Sequence, residues 1–208
     1  MESRTRNIVA GSLLGDGWLD PISKTGKSSY RAKYNDKSIG YLKWLQSQVS
    51  ELNPTELKPI EKYSQHYFFT RYSKELGELR KIFYPNEGKK RVPKNISELL
   101  DDPIGLAIWY QDDGTLDCRS KYHWNVRIAT YCFPYEDCVI LAKAVKKHFN
   151  IEMSVCRCTM RGKVYYQLYV LSKSMTRFIE TVRSYIHSDY AYKINSLNKP
   201  KNDGQQQR

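Results

Sequence analysis

Two aspartates in this chain close similar apolar runs, and each is followed by glycine. Asp16 ends the run that starts at Ile8, Asp113 ends the run that starts at Gly105, and the two acids lie 97 residues apart. Each run reads as a buried helix, so each acid would lie at a helix C-terminus, where negative charge opposes the helix dipole. A local rule that is broken twice, at equivalent positions, is typical of a functional site.

The two acids would share one site if the two helices pack side by side. Gly11 and Gly15 lie one turn apart on the first helix, which lets another helix backbone approach closely. Both helix ends would then point the same way and bring Asp16 next to Asp113. Two adjacent carboxylates raise each other's pKa unless a cation lies between them, and their hard oxygen ligands suit Mg²⁺. Carboxylates that hold a divalent metal can support phosphodiester hydrolysis.

The residues after each acid also repeat, which predicts two similar halves. In each half a polar loop leads to an alternating strand, an amphipathic helix, a hairpin and a last helix. The alternating strands are predicted at 30–35 and 124–130, and the hairpins at 57–72 and 155–171, with the strands of the first hairpin at 57–63 and 67–72. We therefore expect an α+β fold of two pseudo-symmetric αββαββα halves, packed through the two helices that carry the acids.

Composition indicates where the halves end. Proline, glycine and three consecutive basic residues between 85 and 93 are typical of a linker. We expect an N-terminal half at 1–88, a linker at 89–103, a C-terminal half at 104–197 and a disordered polar tail at 198–208.

The chain is strongly basic, and its expected partner is a polyanion. Its 208 residues include 34 Lys and Arg against 22 Asp and Glu, a formal charge of +12. An apolar content of 40% excludes a disordered basic tail as the whole protein. The sequence shows no membrane span, no signal peptide and no Cys-x-x-Cys pair among its five cysteines. We expect an intracellular protein that is not secreted and that keeps its thiols reduced.

The paired segments resemble the LAGLIDADG homing endonucleases in their two-motif, single-chain form. The stretch from Trp109 to Gly114 is most similar to the subgroup of the monomeric mitochondrial omega-intron endonuclease, and the resemblance covers about residues 6–195. It implies two halves about a pseudo-twofold axis, with saddle-shaped antiparallel sheets in the DNA major groove. It also implies that Asp16 and Asp113 bind the catalytic metal. That metal is expected to be Mg²⁺, with Mn²⁺ as a substitute and Ca²⁺ as an ion that binds without supporting cleavage.

The subgroup also places one lysine near each active site. Lys90 matches the first of these, in the Lys-x-x-Pro stretch at 90–93, and Lys193 matches the second, in a Tyr-Lys pair 103 residues further on. A lysine there could stabilise negative charge on phosphate or polarise the attacking water. The resemblance therefore makes both lysines candidates for catalysis.

The second motif departs from the family pattern. It has Asp112 where the first motif has Gly15, and Trp109 where the first has Ser12, so small residues alone cannot pack the helix pair symmetrically. Either of the two consecutive acids could bind metal. We choose Asp113 because, like its counterpart in the first motif, it directly precedes the glycine.

Polar side chains along the predicted strands form a candidate DNA surface. Arginine reads guanine, and asparagine or glutamine reads adenine, through paired hydrogen bonds in the major groove, whereas loop cations hold phosphates. The alternative is an ordinary solvated sheet face. The strand candidates are Arg31, Lys33, Asn35, Asn125, Arg127, Tyr131, Arg157, Thr159, Tyr165, Gln167 and Tyr169. The loop candidates are Lys24, Lys27, Arg119, Lys121, Arg161 and Lys163.

These features predict a monomeric, site-specific endonuclease that cuts both strands of a long DNA target and is encoded by an intron rather than an intein. The alternative is an RNA-binding maturase that assists splicing of its own intron, because a basic sheet also binds RNA phosphates. The two acids favour the endonuclease, since a pure maturase need not keep them. A transcriptional repressor on a decayed nuclease scaffold is disfavoured for the same reason. We expect the protein to act in an organelle or in a bacterial cytoplasm.

Overall fold

The first half of the chain alternates helices with pairs of strands. The computed structural model describes residues 1–85, 88–120 and 123–195, without the side chains of residues 118–120, 123 and 124. Four strands form an antiparallel sheet in the order β1-β2-β4-β3. The elements of this half are α1 (Ser3–Leu14), β1 (Trp18–Leu19), β2 (Tyr30–Asn35), α2 (Ile39–Gln48), β3 (Lys58–Ile60), β4 (Gln65–Phe69) and α3 (Lys74–Phe83).

The second half repeats this topology. Its antiparallel sheet has the equivalent strand order, β5-β6-β8-β7. Its elements are α4 (Pro103–Asp113), β5 (Gly114–Ser120), β6 (His123–Ala129), α5 (Tyr135–Phe149), β7 (Met153–Met160), β8 (Lys163–Val170) and α6 (Met175–Arg183), followed by a 3₁₀ segment at Ser188–Lys193. The predicted α+β fold with two αββαββα halves is confirmed.

The helices of the described residues are all too short or too polar to span a bilayer. The predicted boundaries at 88 and 103 remain predictions. The predicted tail at 198–208 lies outside the residues that the structure describes.

The two hairpins differ in length because their turns differ. The β7–β8 turn has only two residues, Arg161 at φ 50° and Gly162 at φ 74°, which suits the twist of long paired strands. In the first half a 3₁₀ turn at Glu61–Tyr63 and Ser64 at φ 48° separate β3 from β4. The first hairpin is therefore shorter than predicted, and β4 begins two residues earlier than the sequence pattern indicated.

The helices α1 and α4 pack in parallel at the centre of the molecule. A Cβ atom at Gly11 would overlap the carbonyl oxygen of Gly105, and a Cβ atom at Gly15 would lie 2.5 Å from that of Asp112. At the other end of the pair, the Asn7 side-chain oxygen accepts hydrogen bonds of 2.9 Å from the backbone N–H groups of residues 101 and 102. This contact fixes the start of α4 against α1. As predicted, the two helix C-termini point the same way.

Gly11→Ala should destabilise the protein, because the added methyl group meets backbone atoms that cannot move aside. We expect a loss of about 2 kcal/mol, which for a chain of this size lowers the thermal midpoint by about 4–8 °C. Thermal unfolding followed by circular dichroism measures the change. Lys43→Ala, on the exposed side of α2, is the control and should leave the midpoint nearly unchanged. An unchanged midpoint for Gly11→Ala would contradict the close helix contact.

Candidate active site

The C-terminal ends of α1 and α4 meet beside an open cavity of about 630 Å³. Asp16 and Asp113 both line this cavity, together with Lys90, Tyr131 and Cys132. The parallel helix packing thus brings together the two acids whose proximity the sequence predicts. A second cavity, against the outer face of the N-terminal sheet, is also lined by Asp16.

The Asp113 carboxylate lies in surroundings that disfavour its ionised form. Burial, and then the charge of Asp16, raise the pKa of Asp113 to about 7. The nearby ammonium groups of Lys90 and Lys193 oppose this shift only in part. A carboxyl group whose pKa is raised in this way would be stabilised in its ionised form by a divalent cation, which would replace its proton.

The Asp112 carboxylate links the end of α4 to the backbone that follows α1 and to two tyrosine hydroxyl groups. Its carboxylate accepts hydrogen bonds from the hydroxyl groups of Tyr34 at 2.7 Å and Tyr41 at 3.3 Å, and from the backbone N–H of Asp16 at 3.2 Å. Burial of this carboxylate, together with the charge of Asp16, raises the pKa of Asp112 well above its ordinary value. Three donors occupy the oxygens of Asp112, and Asp112 does not line the cavity. Asp113 is therefore better placed for metal than Asp112.

Each candidate lysine contacts the C-terminal end of one of the two acid-bearing helices. The Lys90 ammonium donates to the carbonyl oxygen of Gly15 at 2.6 Å. The Lys193 ammonium donates to the carbonyl oxygens of Gln111 at 2.5 Å and Tyr110 at 3.4 Å. A cation at this position satisfies free carbonyl groups and suits the helix dipole. Burial lowers the pKa of both lysines, and the surrounding acids oppose that shift.

The donor set fits Mg²⁺ bound in part by substrate. Among the described residues, no three His, Cys, Asp or Glu side chains are grouped to hold a metal by themselves. Two carboxylates that line one open cavity are nevertheless the set that Mg²⁺ uses when waters and substrate phosphates complete its coordination. Asp16 and Asp113 are therefore the side chains that would hold the ion.

The outer face of the N-terminal sheet carries the three candidates predicted on β2. Arg31, Lys33 and Asn35 stand opposite Phe69, Tyr67 and Gln65 of β4. These three β4 residues were not among the predicted candidates. Gln65 lies before the predicted start of the strand at 67, whereas Tyr67 and Phe69 lie within the predicted strand, and their place opposite the β2 candidates follows only from the register of the two strands.

Arg31 is held in position on this face. Its guanidinium group pairs with Asp20 at 3.0 Å and lies over the rings of Tyr67 and Phe69, at 5.7 and 5.3 Å from their centroids. Such contacts reduce the freedom of a side chain before any partner binds.

The outer face of the C-terminal sheet carries a linked set of polar side chains. The Tyr131 hydroxyl lies 3.3 Å from the side-chain oxygen of Gln167, whose amide group donates to the Tyr169 hydroxyl at 3.2 Å. The ring of Tyr165 packs against Tyr131 at 5.8 Å. Arg127 stands opposite Tyr169, so the structure brings these candidates together, and Asn125 lies on the same face of β6 two residues before Arg127.

Two strand candidates do not belong to this surface. Arg157 pairs with Tyr166, and Thr159 pairs with Val164. The two-residue turn makes odd-numbered residues of β7 pair with even-numbered residues of β8, so these two side chains lie on the opposite face from Gln167. Their assignment to the shared sheet surface was wrong.

The loop candidates lie at the edges of the two sheets. Lys24 and Lys27 are exposed in the β1–β2 loop, and Arg161 and Lys163 are exposed at the β7–β8 turn. Lys121 and the side chain of Arg119 lie outside the described residues.

Residues 6–178 match the model of the LAGLIDADG DNA endonuclease family. This match covers most of the chain, so the protein belongs to that family, as the sequence resemblance predicted.

Two curated relatives match nearly the whole chain. The DNA endonuclease I-ChuI of Chlamydomonas applanata is 26% identical, over 96% of this chain and 98% of the relative. The cytochrome b mRNA maturase bI2 of Debaryomyces hansenii is 26% identical, over 93% of this chain and 74% of the relative. The chain also matches mycobacterial RecA proteins; that of Mycobacterium shimoidei is 33% identical over 55% of this chain, but this chain spans only 26% of that relative.

Solved structures share the fold. The homing endonuclease I-WcaI, bound to its DNA recognition sequence, superposes with a TM-score of 0.75 at 19% identity, over 93% of this chain and 87% of that one. I-DmoI in complex with DNA and Mn superposes with a TM-score of 0.54 at 19% identity, over 89% and 98% of the two chains.

Asp113→Asn should stabilise the metal-free protein, and the gain should depend on pH. Because the pKa of Asp113 is raised to about 7, wild type loses stability as pH rises from about 4 to 7, where the unfolded chain is ionised and the folded chain still holds the proton. The amide cannot ionise and escapes this loss. We expect the thermal midpoint of the variant to exceed that of wild type by about 3 °C or more at pH 8 in EDTA.

The difference between the two proteins should shrink toward zero near pH 4.5. Glu180→Gln, on the exposed side of α6, is the matched control and should show a difference that does not change with pH. A constant difference between Asp113→Asn and wild type across this range would show that Asp113 is not held in an unfavourable ionised state.

Proposed function

We propose that this protein is a metal-dependent homing endonuclease that makes a site-specific double-strand break in DNA. The observation that carries the proposal is the meeting of Asp16 and Asp113 beside one open cavity, with one lysine at the end of each helix. Family membership and the I-ChuI relative support endonuclease activity.

The proposed reaction is hydrolysis of one phosphodiester in each strand. Asp16 and Asp113 would hold the divalent ion, which would supply Lewis-acid stabilisation of negative charge on the phosphate. Lys90 and Lys193 stabilise the negative charge that develops on the phosphate oxygens. Since each lysine already contacts the helix end that carries an acid, little rearrangement is needed for this role.

The two sheets are proposed to bind the duplex on either side of the acids. Arg31, Lys33 and Asn35 from one half, and Arg127 from the other, present the groups that read bases in the major groove. Asn125 and Gln167 support the C-terminal face through hydrogen bonds to the Val170 carbonyl and to the Tyr131 and Tyr169 hydroxyls. Asp16, Arg31 and Lys33 line one cavity. This shared cavity supports a continuous DNA surface that runs from the base-reading side chains to the acids. The formal charge of +12 favours the approach of a polyanion.

The finer features of the proposal follow the family resemblance. We propose Mg²⁺ as the working ion, Mn²⁺ as a substitute and Ca²⁺ as an ion that binds without supporting cleavage; the I-DmoI structure with DNA and Mn supports the use of a divalent metal. We propose that one chain acts alone, because both halves of the site come from it. An intron that spreads by this break would place the protein with the intron DNA, in an organelle or in a bacterial cytoplasm.

A second candidate function is assistance in splicing the RNA of its own intron. The bI2 maturase relative supports it, because it matches nearly the whole chain. Binding of the flanking intron RNA, and faster splicing of that RNA in vitro, would establish this activity. Wild-type splicing by an Asp16→Asn, Asp113→Asn double variant would separate it from DNA cleavage.

Asp16→Asn and Asp113→Asn should each abolish double-strand cleavage while DNA binding is kept. Each change removes a metal-binding charge but preserves the shape of the side chain, and binding in Ca²⁺ should stay near wild type or tighten because repulsion toward phosphate is relieved. The substrate is a plasmid that carries the two exon sequences flanking the proposed intron, joined as they are in DNA without the intron. A gel separates supercoiled, nicked and linear forms.

Asp112→Asn is the matched control for this experiment, because it removes the neighbouring acid that does not line the cavity. It should leave measurable cleavage. Full linearisation by either the Asp16 or the Asp113 variant would place the active site elsewhere.

Lys90→Met and Lys193→Met should each slow the chemical step rather than weaken DNA binding. If each ammonium stabilises developing charge, its loss lowers the single-turnover rate by roughly 10²-fold, about 2.7 kcal/mol. Lys89→Met is the control, since this exposed neighbour lines the same cavity but, within the part of the chain that the structure describes, makes no hydrogen bond to a helix end. A rate for both variants equal to that of Lys89→Met would remove the lysines from the mechanism.

A further inference from the structure

Each candidate lysine is carried on a short segment that contacts the opposite half of the chain. The Lys90 segment, residues 88–93, follows α3 of the first half and contacts α5 of the second. The Lys193 segment, residues 187–193, follows α6 of the second half and contacts α2 of the first. Both segments dock on the first turn of the middle helix of the other half.

A buried carboxylate makes the first of these contacts. Asp137, the third residue of α5, accepts two hydrogen bonds from the Arg91 guanidinium group, at 2.8 and 2.9 Å, and one from the backbone N–H of Val92, at 2.9 Å. The Asp137 side chain is 4% exposed. A bidentate pair fixes both distance and orientation, so the chain on both sides of Arg91, including Lys90, is held against α5.

A carboxylate also makes the second contact, but here it lies on the lysine segment rather than on the helix. Asp189 of the Lys193 segment accepts a hydrogen bond of 2.8 Å from the backbone N–H of Tyr41, the third residue of α2. Gly40 leaves the space for it, because a Cβ atom there would lie 2.9 Å from the Asp189 oxygen. The Tyr190 hydroxyl adds a hydrogen bond of 3.1 Å to Ser38. In both links a carboxylate therefore lies at a helix N-terminus, where the dipole favours negative charge.

We propose that Asp137 and Asp189 are equivalent positioning residues, which hold Lys90 and Lys193 at the ends of α1 and α4. This inference rests on the proposed function, since it assigns each carboxylate to one lysine of that reaction. The two lysines reach the helix ends over 2.6 and 2.5 Å. A shift of about 1 Å in a catalytic group can lower a rate by about 10²-fold, so the anchors should matter for rate.

The test is a double-mutant cycle that crosses each anchor with each lysine. Asp137→Asn should lower the single-turnover cleavage rate by about 10-fold, with the Kd for target DNA in Ca²⁺ changed by less than about 3-fold. In the Lys90→Met background the same change should have less than about a 2-fold effect, whereas in the Lys193→Met background the full effect should remain. Asp189→Asn should show the reverse pattern.

Glu152→Gln is the control, because it breaks exposed ion pairs with Lys146 and Lys173 that touch neither segment. It should leave the cleavage rate unchanged. If Asp137→Asn lowers the cleavage rate equally in both lysine backgrounds, the inference is overturned, because a general structural defect slows either lysine variant to the same extent. If Asp137→Asn does not fold, Arg91→Met removes the bidentate pair, keeps the bond to Val92 and is judged by the same criteria.

A second measurement does not depend on cleavage. Acetylation of lysines in the DNA-free protein, followed by mass spectrometry, should show faster labelling of Lys90 in Asp137→Asn and of Lys193 in Asp189→Asn, with the other lysine unchanged. Unchanged labelling in both variants would overturn the inference even if the protein cleaves DNA. If wild type cleaves no DNA, the proposed function fails, and the labelling pattern alone decides whether the anchors hold the lysines.

Discussion

The parallel contact between α1 and α4 is the constraint on which the rest of the structure depends. It brings two helix C-termini and three carboxylates, those of Asp16, Asp112 and Asp113, to one place. Both the helix dipoles and the acids contribute negative charge there, so the arrangement is electrostatically unfavourable by itself. Close backbone packing at Gly11 and the Asn7 hydrogen bonds impose it from the other end of the helix pair.

The surrounding structure supplies positive charge and donors where this contact needs them. Lys90 and Lys193 donate to the helix-end carbonyl groups, while Tyr34 and Tyr41 donate to Asp112. Each lysine comes from the same half as the helix end that it contacts, but its segment also contacts the other half. The two halves therefore meet around one site.

The sequence predicted the parts of this arrangement that repeat. The paired Asp-Gly endings and the alternating strands recur at nearly constant spacing, and the comparison of the two halves identified both acids, whereas the two lysines were identified only through the family resemblance. The face of Arg157 was predicted wrongly because cross-strand parity depends on the length of the turn, which the repeat does not specify. The roles of Asp137 and Asp189 were not predictable, because the carboxylate lies on the helix in one half and on the lysine segment in the other.

The one departure from symmetry in the helix pair explains why consecutive acids in the second motif have different surroundings. Gly15 of the first motif leaves a space, and Asp112 of the second motif fills it, so that its carboxylate reaches across the pseudo-twofold axis to the Asp16 N–H. A glycine at both positions would leave that N–H without this acceptor, and an aspartate at both would place two side chains in a space that holds one. The Gly–Asp pair is therefore a solution that a single chain with two unequal halves can use, whereas a symmetric dimer of one half could not. It leaves Asp113 alone on the cavity side of α4, opposite Asp16 and within reach of a cation.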